Sequence, residues 1–157
     1  MVEQAQYLTQ EGKETLEKRL GYLTKVRRPE IAELLSNALD GGEEITENTQ
    51  YEEAKNEQAF LESEIARIER ILRDAKIIEH PANSDEVVIG SIVDVVEKGV
   101  DEQETYRLVG AAEANPREGK ISIESPLGKA LLGAKVKDRV KVKAPDGTIT
   151  FIIHEIR

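Results

Sequence analysis

Apolar residues recur at helical spacing along the first half of the chain and at strand spacing along the second. Tyr51, Ala54, Gln58, Leu61, Ile65, Ile68 and Leu72 stand 3, 4, 3, 4, 3 and 4 residues apart. That is the a/d seam of a helix that packs on another helix. Its expected partner precedes it: Leu16, Leu20, Leu23, Ile31, Leu34, Leu35 and Ala38 also recur at helical spacing, after Thr9 as an N-cap. Pro29 interrupts this run, and a proline inside a helix removes one backbone bond and crowds the preceding turn, which predicts a kink or break near Val26 to Arg28. Gly41 and Gly42 stop the first helix, and Thr46, Asn48 or Thr49 can start the second. The prediction is an antiparallel αα-hairpin turning near residues 40–48. A helix from Thr49 to Asp74 would run on the order of 40 Å, too long for so small a chain to bury, so the hairpin is expected to project.

After Ile78 the period changes. His80, Pro81, Ala82, Asn83, Ser84 and Asp85 form a turn-rich junction, which divides the chain into residues 1–78 and 79–157. Strands are predicted at Val87 to Val96, Glu104 to Val109, Lys120 to Ile123, Arg139 to Lys143 and Thr148 to Ile156, the last two joined across Pro145-Asp146-Gly147. Pro126 to Leu132 reads as a short helix closed by Gly133. The fold class is therefore α+β: a helical hairpin followed by a small β-rich domain with a short helix.

Composition narrows the function. The 157 residues are 34% charged and 39% hydrophobic, with no cysteine and a formal net charge of −9. An acidic balance disfavours a free-standing nucleic-acid binder, because phosphate affinity comes from Lys and Arg releasing counterions. No apolar run approaches the roughly 18 residues of a membrane helix, and no charged-then-apolar leader opens the sequence, so a cytoplasmic location is expected.

The chemistry concentrates at the hairpin turn, where Asp40, Glu43, Glu44 and Glu47 gather four carboxylates within eight residues. Such a cluster can merely favour a helix N-terminus or a solvated loop. At the far end of a projecting hairpin it more readily meets a cation. The set is incomplete for Mg²⁺, which takes six oxygen ligands and binds weakly to one or two carboxylates, so a partner would have to complete it.

Leu8-Thr9-x-Glu11-Gly12, Arg27-Arg28-Pro29-Glu30-Ile31, Glu47-Asn48-x-x-Tyr51, Glu104-x-Tyr106-Arg107-Leu108-Val109-Gly110 and Ile121-Ser122-Ile123-Glu124-Ser125-Pro126-Leu127-Gly128-Lys129-Ala130-Leu131-Leu132-Gly133 follow one another along nearly the whole chain. Together they resemble the Gre family of bacterial transcript-cleavage elongation factors. The resemblance implies a coiled-coil hairpin that enters the secondary channel of RNA polymerase and an FKBP-like domain, residues 79–157, that docks at the channel rim. It implies that tip carboxylates hold the second Mg²⁺ jointly with the polymerase, which then hydrolyses backtracked nascent RNA. The factor itself is then no enzyme, and a monomer is expected.

Glu47 matches the family's tip Glu, with Asn48 and Tyr51 as its supporting neighbours. The family's tip Asp stands three residues earlier, where this chain has Glu44, and one additional residue lies near Gly41-Gly42-Glu43. Glu43 is therefore an alternative ligand, and the altered tip also admits a Gre-like paralogue that binds polymerase and inhibits cleavage. Glu124, Ser125 and Pro126 match the family's polymerase-binding turn, although a capped helix start explains them equally. Lys55 falls where the family carries a basic residue that can touch RNA, or it is simply solvated. Arg27 and Arg28 form a basic spot or pair with nearby Glu side chains. His80 and His154 have no partners at metal-ligand or triad spacing. An FKBP-like fold also raises prolyl isomerisation, but that pocket is aromatic-lined and only Tyr106 and Phe151 are available after Glu79. A holdase would need an exposed apolar stripe beyond the a/d seam, and none is legible.

Overall fold

The structure, a computed structural model, describes residues 6–40, 49–79 and 84–157. Contacts divide the chain into two units, one from Lys13–Asp74 and one from the described parts of Met1–Gly12 and Ala75–Arg157.

The first unit is helical. Helix α1 (Gln10–Tyr22) runs through a π-helical turn, Leu23–Arg27, into α2 (Arg28–Asp40), and α3 (Thr49–Asp74) packs antiparallel to them. Leu23, Ile31, Leu61, Ile65 and Ile68 are buried between the arms, with Leu16, Leu20, Leu35 and Leu72 packed around them. The predicted seam is thus the observed core, though Leu34 lies outside it and is exposed. The expected interruption before Pro29 takes a particular form. Pro29 falls in the first turn of α2, and the N–H of Arg28 donates to the carbonyl of Leu23, five residues back. A widened turn with i→i−5 bonding absorbs the missing donor while the chain stays helical, a known way to accommodate such strain. The Thr24 hydroxyl donates to the Leu20 carbonyl at 2.8 Å within the same stretch.

The second unit holds a five-stranded sheet of β3 (Ile92–Glu97), β4 (Gln103–Val109), β5 (Lys120–Ser122), β6 (Arg139–Ala144) and β7 (Gly147–Ile156), in the order β5-β4-β3-β7-β6. Within this sheet only the β4 and β5 pair is parallel. Alternate side chains supply the core, Val93 and Val95 from β3, Leu108 from β4, Ile121 from β5, Val140 and Val142 from β6, Phe151 and Ile153 from β7. The short helix α4 (Pro126–Leu131) adds Leu131 to that core.

Two short strands escape the pattern of the sequence. β1 (Tyr7–Thr9) and β2 (Lys76–Ile78) form a parallel pair, with Leu8 opposite Ile77. Gly110 lets β1 approach, since a Cβ there would stand 1.9 Å from the Tyr7 carbonyl oxygen. Glu113 then fastens Thr9: its carboxylate accepts the Thr9 N–H at 2.7 Å and the Thr9 hydroxyl at 2.6 Å. The same hydroxyl accepts the Gly12 N–H at 3.1 Å, so Thr9 caps α1 as expected.

One charge lies inside the sheet. Asp94 is 2% exposed, and Arg157 reaches both its oxygens at 2.9 and 2.7 Å while the Thr105 hydroxyl donates at 2.7 Å. Stranding a fully buried charge costs about 3–5 kcal/mol. Arg157 is half exposed, so Arg157→Ala should cost about 2–3 kcal/mol, measured by urea unfolding at neutral pH.

Candidate functional site

The acidic turn anticipated between the helices falls at residues 41–48, so Glu43, Glu44, Glu47 and Asn48 lie outside the described residues, as does His80. What the structure provides are the flanks. α2 ends at Asp40 and α3 begins at Thr49. Ala38 and Ala54 are the buried apolar residues nearest this turn on the two arms. Tyr51 is half-buried, with the ammonium of Lys55 5.9 Å from its ring centre and 3.3 Å from the Gln58 side-chain oxygen. Lys55 thus lies along the helix beside Tyr51, and its side chain is exposed. Among the described residues no group of three or more His, Cys, Asp or Glu is arranged to hold a metal ion.

Farther along the arms the arginines pair with glutamates. Arg28 makes two bonds of 2.8 Å to Glu62, Arg27 bridges Glu30 at 2.9 Å and Glu57 at 2.7 Å, and Arg19 holds Glu64 at 3.0 and 3.3 Å. Three of these contacts cross between arms 30 or more residues apart in sequence, and exposed pairs contribute far less than the buried seam, so they serve chiefly to fix its register. The choice left open for Arg27 and Arg28 resolves to pairing. The Arg28 guanidinium holds the Glu62 carboxyl below its ordinary 4.5 by hydrogen bonding.

The Glu124-Ser125-Pro126 turn is built more tightly than its spacing suggests. Ser125 is the N-cap of α4, accepting the Gly128 N–H at 3.1 Å, and its hydroxyl donates to the Ser122 carbonyl at 2.6 Å. The Ser122 hydroxyl accepts the Glu124 N–H at 3.0 Å. A Cβ on Gly128 would stand 1.9 Å from the Ser122 carbonyl oxygen, so only glycine fits there. Glu124 and Pro126 are exposed on this rigid turn. Ser122 and Gly128 are its hidden supports; the Ser-x-x-Ser spacing, which allows hydroxyl-to-backbone bonding, is the signal that identifies the first.

The aromatic residues do not make an isomerase pocket. Phe151 is buried in the sheet core, and Tyr106 packs against that core with its hydroxyl donating to Glu104 at 2.7 Å. Burial, then Glu104, pushes the Tyr106 phenol up to about 12. His154 is exposed on β7.

Residues 6–77 match the family model described as "Transcription elongation factor, N-terminal", and residues 82–157 match "Transcription elongation factor, GreA/GreB, C-term". The chain belongs to the GreA/GreB family of transcription elongation factors. The transcription elongation factor GreA of Acetivibrio thermocellus is 49% identical over 151 residues, covering 96% of this chain and 94% of that one. GreA of Clostridium novyi is 47% identical over 159 residues, covering 100% and 99%. Among solved structures, GreA factor homolog 1 (Gfh1) of Thermus thermophilus is 31% identical, with 98% of this chain and 99% of that one covered and a TM-score of 0.45.

The Glu62 shift gives these helices a pH signature. A carboxyl lowered by folding stabilises above its unfolded value and loses that contribution as pH falls through the lowered value. Arg28→Ala should therefore lower the melting temperature at pH 7, and the gap from the parent should close as the pH falls below 4.5 into strongly acidic conditions. An equal gap at both ends would contradict the assignment.

Proposed function

We propose that this GreA-family chain stimulates bacterial RNA polymerase to hydrolyse backtracked nascent RNA near its 3′ end, in the cytoplasm and as a monomer. The observation that carries the reading is the hairpin: two antiparallel arms, zipped by an apolar seam, whose connecting residues 41–48 hold Glu43, Glu44 and Glu47. Family membership supplies the partner.

Carboxylates are hard oxygen donors and suit Mg²⁺ by type, but three of them fall short of the six ligands that ion takes. Glu44 and Glu47, or Glu43 in place of Glu44, would hold it with the polymerase's own ligands, while Asn48 and Tyr51 support the tip and Lys55 lies where it can meet RNA. When bound between the two proteins, the ion supplies the second metal of a phosphodiester hydrolysis. The hairpin's contribution is position, and by this reading the chain alone cleaves no RNA. The turn of Glu124, Ser125 and Pro126, exposed at Glu124 and Pro126, is the proposed dock on the channel rim, its backbone held by Ser122 so that little entropy is lost on binding.

The test is a stalled, backtracked polymerase complex with the protein and Mg²⁺, followed by the length of the RNA. Glu47→Ala should slow cleavage by on the order of 10- to 100-fold, the range for losing support at a metal site, with polymerase binding nearly unchanged. Glu44→Ala and Glu43→Ala, compared in the same assay, identify the second ligand. Raised Mg²⁺ should partly rescue a ligand variant by mass action. RNA that stays full length, or cleavage slower than without the protein, sinks the stimulatory reading. Glu124→Ala should weaken polymerase binding and leave the melting temperature within about a degree, because this exposed side chain supports nothing in the fold. Normal binding with lost cleavage would place the dock elsewhere.

A further inference from the structure

Strand β6 carries a row of cations that nothing in the foregoing uses. Its burial alternates, with Val140 and Val142 in the core and Arg139, Lys141 and Lys143 exposed on the other face. Lys137, exposed in a left-handed turn two residues before the strand, is a fourth cation beside this row. None of these four makes a salt bridge among the described residues, in contrast to Arg19, Arg27, Arg28 and Arg157, which are all paired. Their neighbours across the sheet do not neutralise them either. Arg139 faces Ile152, Lys141 faces Thr150 and Lys143 faces Thr148, and the next residue on that side of β7 is His154. Opposite the row, from Thr148 to Ile152, this face of β7 holds no carboxylate, in a chain whose formal charge is −9; the bulge that sets Glu155 against Asp94 brings that carboxylate to the same face only beyond the end of the row.

Lysines on an edge strand also discourage edge-to-edge pairing, and β6 is an edge strand. That role needs one or two charges pointing anywhere along the edge; it explains neither the unbroken repeat nor the hydroxyl row beside it. From Arg139 to Lys143 the row covers about 13 Å at roughly 3.3 Å per residue. One strand of a duplex presents a phosphate about every 3.4 Å of axis, so the row passes several of them. Thr148 and Thr150 add hydroxyl donors of the kind that contact phosphate oxygens. No Phe, Tyr or Trp lies opposite the row, and His154 alone offers a ring at its end, which argues against single strands and against sequence reading.

We propose that the outer face of β6, through Arg139, Lys141 and Lys143, is a sequence-independent contact for the phosphate backbone of a nucleic-acid duplex. The overall acidity of the chain makes this contact weak, so it operates where another interaction has already brought the duplex close. It goes beyond the cleavage function and does not depend on it, because the contact is measurable without polymerase.

The experiment is fluorescence anisotropy of a labelled 30-base-pair duplex titrated with the full chain between about 25 and 100 mM salt. Three phosphate contacts give a log–log slope near −2.7, or about a 40-fold loss of affinity across that range. The variant Arg139→Gln/Lys141→Gln/Lys143→Gln should lose most of the binding at 25 mM salt and flatten the slope toward zero, with circular dichroism showing that it is folded. Single Lys141→Gln should reduce the slope by about 1, uniformly across duplex sequences. No binding by the parent at 25 mM salt overturns the proposal, as does a triple variant that binds like the parent. A triple variant that loses affinity for polymerase, when the parent ignores the duplex, would overturn it in favour of an acidic protein surface.

Discussion

The carboxylate of Glu113 governs where the helical part of this chain can begin. It takes both the amide and the hydroxyl proton of Thr9, from 104 residues away, and so turns the hydroxyl's lone pair toward the Gly12 amide. A local cap is thereby oriented by a distant residue. Gly12 is the corollary, since a Cβ there would stand 2.0 Å from the Glu113 side chain. The adjacent β1–β2 pair adds a second condition. Parallel strands need a long connection between them, and here that connection is the entire helical segment, which must leave and return. Two antiparallel arms meet the requirement.

The parts of this fold that rest on periodicity were legible in the residues. The apolar seam positions from Ala54 to Ile68 are buried as their spacing demands, and the five main strands fall within one residue of their expected ends, except that the first begins at Ile92 and not at Val87, the residues between forming a turn. The parts that rest on long-range pairing were not. Tyr7–Thr9 and Lys76–Ile78 are too short to carry a period, and each is a strand only because the other lies beside it. The π-helical turn was half legible: Pro29 announces a disturbance but not its form, which depends on whether the packed arms allow a break. At the candidate site, Ser125 as a cap could be read from Ser-Pro before an apolar run, whereas Ser122 beneath it could not be weighed without the backbone path.

Charge is distributed with the same economy. Arg19, Arg27 and Arg28 of the helical unit are taken up by Glu64, Glu57 and Glu62 on the facing arm. Residues 41–48 carry three carboxylates and no basic residue at all. Compensation for those charges has to come from outside the segment, which is the electrostatic condition for a ligand that is completed only in a complex.

The widened turn at Leu23–Arg27 bears on how such a hairpin changes over evolutionary time. In a regular helix, gaining or losing one residue rotates everything beyond it by about 100° and would turn the seam away from its partner. A turn with i→i−5 bonding is one residue longer than an α turn while keeping the phase of its flanks. It marks a place where a single-residue insertion or deletion can be absorbed, so the length of this arm can drift without repacking Ile31 and Leu35 against α3.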